Sequence, residues 1–191
     1  MHTDRMPKAE AKKAEFLRSE ALHTLQLPDS EPVRSLALEL KESLAADDRK
    51  AVQAASSEII SVLSNSYKVA TPAVKILAAR PQKVSGDWVF ETFGDYEPDS
   101  MRIRLWMRTA VQKKPTAFGT MLHTLCHEFC HHLDMVSLDL HNTYHTRGFF
   151  ERTALLYHHL QGTPVKPIVW RKLSDGTYQV DWQKMRHSAR R

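Results

Sequence analysis

The chain predicts an α+β domain: N-terminal helices, a small antiparallel sheet, two further helices and a C-terminal β-hairpin. Three observations carry that expectation. Apolar residues recur at helical spacing over 32–45 and 47–65. An alternating run follows, in which Met101, Ile103, Leu105 and Met107 interleave with Arg102, Arg104 and Trp106, the period of a half-buried strand. A third helical stretch, 117–136, then carries an apolar stripe on one side and paired histidines on the other.

The elements follow in order. Residues 1–30 are rich in Lys, Glu and Ala and close at Pro28, reading as a charged peripheral arm. Val33, Leu36, Leu38 and Leu40 mark the first core helix, and Val52, Ile59, Ile60 and Leu63 the second, for which Asp47 or Asp48 is the expected cap. Strands are expected at Val74–Ala78, Trp88–Phe93 and Met101–Met107. The last two flank the turn-rich 94–100 and so suggest a hairpin. Thr116 is the expected cap of the histidine-bearing helix, whose stripe is Phe118, Met121, Leu122, Leu125, Phe129 and Leu133. A helix over 147–160 comes next. Ile168–Leu173 and Thr177–Trp182, joined through Gly176, then read as a hairpin.

At 191 residues the chain suits one domain with extensions and is long enough to bury a sizeable core. It has no run of 18 apolar residues, and its first 30 residues are charged, unlike a secretion signal. The expectation is a cytoplasmic protein without a membrane partner. Cys126 and Cys130 stand four apart on one helix, where a disulfide would be strained, and two cysteines cannot build a four-cysteine zinc site. The formal charge of +5 is unevenly spread. Residues 166–191 hold seven basic side chains (Lys166, Arg171, Lys172, Lys184, Arg186, Arg190, Arg191) against Asp175 and Asp181, which accounts for the whole excess. That tail is compatible with contact to DNA. A solvated terminus has the same composition.

The chemistry is concentrated in His127-Glu128-Phe129-Cys130-His131. Residues four apart on a helix lie one turn above each other, so both imidazoles can reach one metal ion. Glu128, rotated by about 100° from His127, is placed to act on a water beside the metal without ligating it. A catalytic zinc site has three protein ligands and one open position, so a third ligand must lie elsewhere. Ser137 stands where the third histidine of the extended metzincin motif would be. The remaining candidates are Asp134, Asp139, His141, His145 and Glu151.

His127-Glu128-x-x-His131, thirteen intervening residues and His145-x-x-x-Phe149 together resemble the SprT-like (Spartan-type) zinc metallopeptidase pattern. The order of elements resembles it too, over roughly 33–162. The resemblance implies a minimal zincin fold in 31–165 and one Zn2+ per chain held by His127, His131 and His145. It also implies Glu128 as general base, and a protein or peptide substrate that in some cases is bound to DNA. In zincins the sheet edge beside the metal helix takes an extended peptide as an added strand, and Met101–Met107 is the candidate for that edge. Two departures stand out. Thr146 occupies the place after the third histidine where that family commonly has Gly, with Gly148 two residues later, and the chain cannot form the C-terminal zinc ribbon of bacterial members.

The alternatives stay open at this stage. Glu151, separated from His131 by nineteen residues, resembles the spacing of the gluzincin third ligand, although Leu155 stands where those proteins place an acidic residue. Arg152 beside it suggests a solvent-side ion pair. Asp134 is also a candidate for orienting an imidazole from behind. Tyr144, Tyr157 and Arg147 are candidates for stabilising an oxyanion. A non-catalytic zinc-containing module that binds DNA or protein is the reading from a different class.

Overall fold

The computed structural model describes residues 1–85 and 88–188. Its helices are α1 (Glu10–Ala21), α2 (Ser30–Ala45), α3 (Arg49–Tyr67), α4 (Phe118–Val136), α5 (Arg147–Gln161) and α6 (Trp182–Ser188). The strands are β1 (Ala73–Ala79), β2 (Gln82–Ser85), β3 (Trp88–Glu91), β4 (Gly94–Glu97), β5 (Arg102–Arg108), β6 (Trp170–Lys172) and β7 (Tyr178–Val180). The α+β class holds. Among the described residues no helix is long and apolar enough to cross a membrane.

The core forms where helical and strand periods converge. Val33, Ala37, Leu40 and Leu44 of α2 meet Val52, Ile59, Ile60 and Leu63 of α3. Ile103, Leu105 and Met107 of β5 point into the same core, as do Met121, Leu122, Leu125, Phe129 and Leu133 of α4. Burying each of these large side chains contributes about 1.5–3 kcal/mol. Asp48 caps α3 by accepting from the backbone N–H groups of Lys50 and Ala51 at 2.9 and 3.1 Å.

The sheet differs from the expectation in two ways. It is mixed, with order β1-β5-β4: β5 pairs in parallel with β1 and antiparallel with β4. The expected hairpin partner of β5, at 88–91, instead pairs with β2, and the partner of β5 comes from the supposed turn at 94–97. Periodicity identifies a strand but carries no information on which neighbour it pairs with, or in which direction. β5 is therefore the central strand, so Met101–Met107 is not the sheet edge. The two edges are β1 and β4. Gln53 of α3 covers part of the β1 edge, donating to the Val74 carbonyl at 2.7 Å and accepting from the Ile76 N–H at 2.8 Å. The β4 edge lies toward the histidine helix.

Thr116 does not cap α4. The N-cap position belongs to Ala117, which makes no side-chain hydrogen bond, while the Thr116 hydroxyl accepts from Arg80 at 2.8 Å. The peripheral arm is packed into the fold. Phe16 and Ser19 of α1 are buried, and residues 1–3 run along β7. The C-terminal hairpin forms as expected, as β6 and β7. Lys166, Arg171, Lys172 and Lys184 are exposed around it. Arg190, Arg191 and the Arg186 side chain lie outside the described residues.

Candidate metal centre

α4 places His127 and His131 one turn apart, and the loop after it returns His145 to face them. The three Nε2 atoms form an equilateral triangle with 3.1 Å sides. Three nitrogens bound to one zinc ion at about 2.0–2.1 Å, with angles near tetrahedral, lie about 3.1–3.4 Å apart, so the donor set fits such an ion. Among the described residues these three histidines are the one group of His, Cys, Asp or Glu ligand atoms that converges in this way. Burial strongly favours the neutral imidazole. It holds His127 well below the ordinary histidine range and His131 down to about 3, with the neighbouring histidines adding to both. Neutral imidazole is the form that ligates metal.

Phe149 is the floor of the site. Its ring stacks on His131 with centroids 4.5 Å apart and meets His127 and His145 edge-on at 4.9 and 5.2 Å. The outer nitrogens have partners too. His131 Nδ1 contacts the Thr143 hydroxyl, and His145 Nδ1 faces Asp4 Oδ2 at 3.5 Å. Neither Thr143 nor Asp4 was singled out by the sequence. Thr143 carries no motif, and Asp4 lies 141 positions from the residue it holds.

Glu128 is buried, at 5% exposure, beside the triangle. Burial, reinforced by the Asp95 carboxylate, pushes its carboxyl up to about 8. A cation among the three histidines acts in the opposite sense. Two hollows of about 390 and 360 Å³ open on either side of it, and Gly94, His127 and Glu128 line both. One continues to Phe93, His123 and Phe150, the other to Asp95, Tyr96 and Pro98. They form a trough between α4 and the β4 edge. His132 fixes its width. Its Nε2–H donates to the Ala70 carbonyl at 2.8 Å, so its Nδ1 accepts from the Tyr96 hydroxyl at 2.9 Å, pinning β4 to α4. Across the sheet, Arg104 binds Asp95 with two hydrogen bonds of 2.7 and 2.8 Å.

No protein-family model, curated protein or solved structure matches the chain.

The structure keeps the other third-ligand candidates away from the triangle. Glu151 accepts from His23 Nδ1 at 2.7 Å and from the Trp170 indole at 3.1 Å, and lines a separate hollow with His23, Thr24 and Ala154. Asp134 pairs with Arg152 at 2.7 Å, and both side chains are fully buried, so neither the solvent-side pair nor an Asp134 contact behind an imidazole is present. Asp139 pairs with Arg18 and with the exposed His141. Among the expected oxyanion donors, Arg147 is engaged by Glu20, Tyr144 leans on Phe16, and Tyr157 packs against His123. None of the three lines the trough.

Thr146 and Gly148 explain the departure after His145. The Thr146 hydroxyl caps α5 by accepting from the Phe149 N–H at 3.0 Å and bonds the Ser19 hydroxyl at 2.9 Å. Gly148 lets α1 end against α5. A Cβ there would stand 2.6 Å from the Leu22 carbonyl oxygen, and closer still to that of Ser19. Both obstacles are backbone and cannot rotate away. Gly148→Ala is therefore expected to destabilise the fold by at least the 1–3 kcal/mol typical of overpacking, read as a lowered urea midpoint. An unchanged midpoint would mean that α1 detaches at no cost.

Proposed function

We propose that this protein is a zinc-dependent metallopeptidase of the SprT-like, minimal zincin kind, hydrolysing peptide bonds in protein substrates. The observation that carries this reading is the 3.1 Å triangle of imidazole nitrogens with buried Glu128 at its side, opening onto a trough along the β4 edge of the sheet. A structural zinc site takes a fourth protein ligand; three ligands and an adjacent carboxylate are the donor set of a hydrolytic one.

Zinc, when bound, supplies Lewis acidity, polarising a carbonyl and lowering the pKa of a water to about 7. The remaining steps belong to the chain. The β4 backbone, at Gly94–Glu97, offers N–H and C=O groups that hold an extended substrate strand. Phe149 and Phe150 keep bulk water from the floor of the site. Glu128 takes the proton of the attacking water on its carboxylate and hands it to the amine that departs, the two-way role of a positioned general base. The surplus of positive charge in 166–191 supports substrates associated with DNA as part of the same reading.

Zinc content of the purified full chain tests the site. Wild type is expected to hold about one zinc per chain, as the three-ligand site requires. His145→Ala is expected to lose it and Glu151→Ala to keep it. Retention without His145 would remove the three-histidine site, and no zinc in the reconstituted wild type would remove the enzyme reading altogether. Hydrolysis of an unfolded protein by the zinc-loaded form then tests the reaction.

A further inference from the structure

His127 and His131 are fixed by the turn of α4, but His145 has no such support, since it lies in the connection between α4 and α5. Its orientation comes from the far ends of the chain. His2 bridges Gln179, so residues 1–3 lie along β7 of the C-terminal hairpin. The Thr3 N–H donates to the Tyr178 carbonyl at 2.8 Å, and the Tyr178 N–H donates to the Thr3 hydroxyl at 2.8 Å. Thr3 is only 3% exposed, and the Thr177 hydroxyl meets His2 Nε2 at 3.0 Å.

The next residue is Asp4. Its N–H donates to the His145 carbonyl at 2.9 Å, and its Oδ2 accepts from the His145 N–H at 2.8 Å. The same oxygen faces Nδ1 of the imidazole at 3.5 Å. A carboxylate opposite Nδ1 favours the tautomer that carries its proton there, leaving the Nε2 lone pair directed at the other two histidines. Arg147, two residues on, lies over the Tyr178 ring at 4.1 Å and is gripped by Glu20, so the hairpin braces the segment on its other side.

We propose that Asp4 is a positioning residue for His145, and that the C-terminal hairpin acts on the metal centre through it. Residues 1–3 form a strap on β7, and Asp4 extends from it to set the tautomer and direction of the third ligand. This assignment rests on the three-histidine site proposed above, and it gives 170–180 a role that the hydrolytic reading does not use.

The test has two arms on the full chain, with Asp4→Ala, Asp4→Asn and Thr3→Val. In the metal-free protein with neutral imidazoles, nitrogen NMR of the histidine rings reads the tautomer. Wild type and Asp4→Asn, whose amide oxygen still accepts, are expected to show His145 protonated at Nδ1, and Asp4→Ala to shift it toward Nε2. In the second arm, competition with a chromophoric chelator reads zinc affinity. Asp4→Ala is expected to weaken it by about 10- to 100-fold, the usual loss when the partner behind a ligand histidine is removed. Asp4→Asn should restore most of that, and Thr3→Val should weaken it in the same direction by less.

An unchanged tautomer and unchanged affinity in Asp4→Ala would overturn the proposal. So would an Asp4→Asn variant that loses as much as alanine. If Asp4→Ala does not fold, the Asn and Thr3→Val variants decide. If wild type binds no zinc, the three-histidine reading fails while the NMR arm still judges the strap.

Discussion

Glu128→Gln is expected to keep its zinc and to lose peptide hydrolysis by about 10²- to 10⁴-fold in kcat, the range supplied by a positioned general base. The substitution is nearly isosteric, so the packing of α4 has no reason to change around a residue that is 5% exposed. What changes is the ability to take a proton. The amide is neutral at all accessible pH and cannot shuttle between water and leaving amine. KM should move little, because the β4 edge and the hollows on either side of Glu128 do not depend on its charge. Zinc content, circular dichroism and steady-state kinetics on one preparation separate the outcomes. Activity within a few-fold of wild type would remove Glu128 from the mechanism. Loss of zinc together with activity would make it a structural residue.

The largest stability effect is expected at Arg152. Its guanidinium donates to Asp134 at 2.7 Å and to the Ser19 and Leu22 carbonyls at 3.2 and 2.6 Å, with the ion pair wholly out of solvent. It therefore joins α4, α5 and the end of α1 at one point. Burial pushes the Asp134 carboxyl up to about 6 even against the pull of Arg152. Arg152→Met would strand that carboxylate and two carbonyl groups in an apolar interior. Breaking a buried pair by removing one partner costs about 3–5 kcal/mol, and urea denaturation should read a loss of that size. The double variant Asp134→Leu/Arg152→Met should recover part of it, because replacing both charges with apolar groups of similar size is often close to neutral. A single-variant loss below about 1 kcal/mol, the worth of an exposed pair, would mean that water reaches the cluster.

The sequence was informative wherever the signal is local. Helical spacing found α2, α3, α4 and α5, alternation found β5, and the i, i+4 histidines with Glu128 between them marked α4 as the ligand helix. The resemblance to the SprT-like pattern picked out His145, which the structure brings to the other two. Pairing was not legible. Gly94-Asp95-Tyr96-Glu97 reads as a turn because Gly, Asp and a following Pro dominate it, yet it is the strand beside Glu128, held by Arg104 and His132 through contacts that no window of sequence contains. Arg152 misled for the same reason. A charged residue beside Glu151 suggests a solvated face, and only the arrival of Asp134 from α4 makes its burial tolerable. Asp4 is the extreme case, an acidic residue in a charged leader whose partner is 141 positions away.

The strap also orders events in time. α2, α3, α4 and β5 share a core whose contacts do not involve residues 2–4 or 178–180. The bonds that hold His145 join positions 4 and 145, and those that anchor the strap join 3 and 178, closures over 141 and 175 positions. Loop closure on that scale is slow relative to local pairing. The core is thus expected to form with the ligand triangle still open. During synthesis, two histidines stand on a finished helix while the third waits for residue 178 to leave the ribosome, so the triangle of imidazoles closes only after the core has formed.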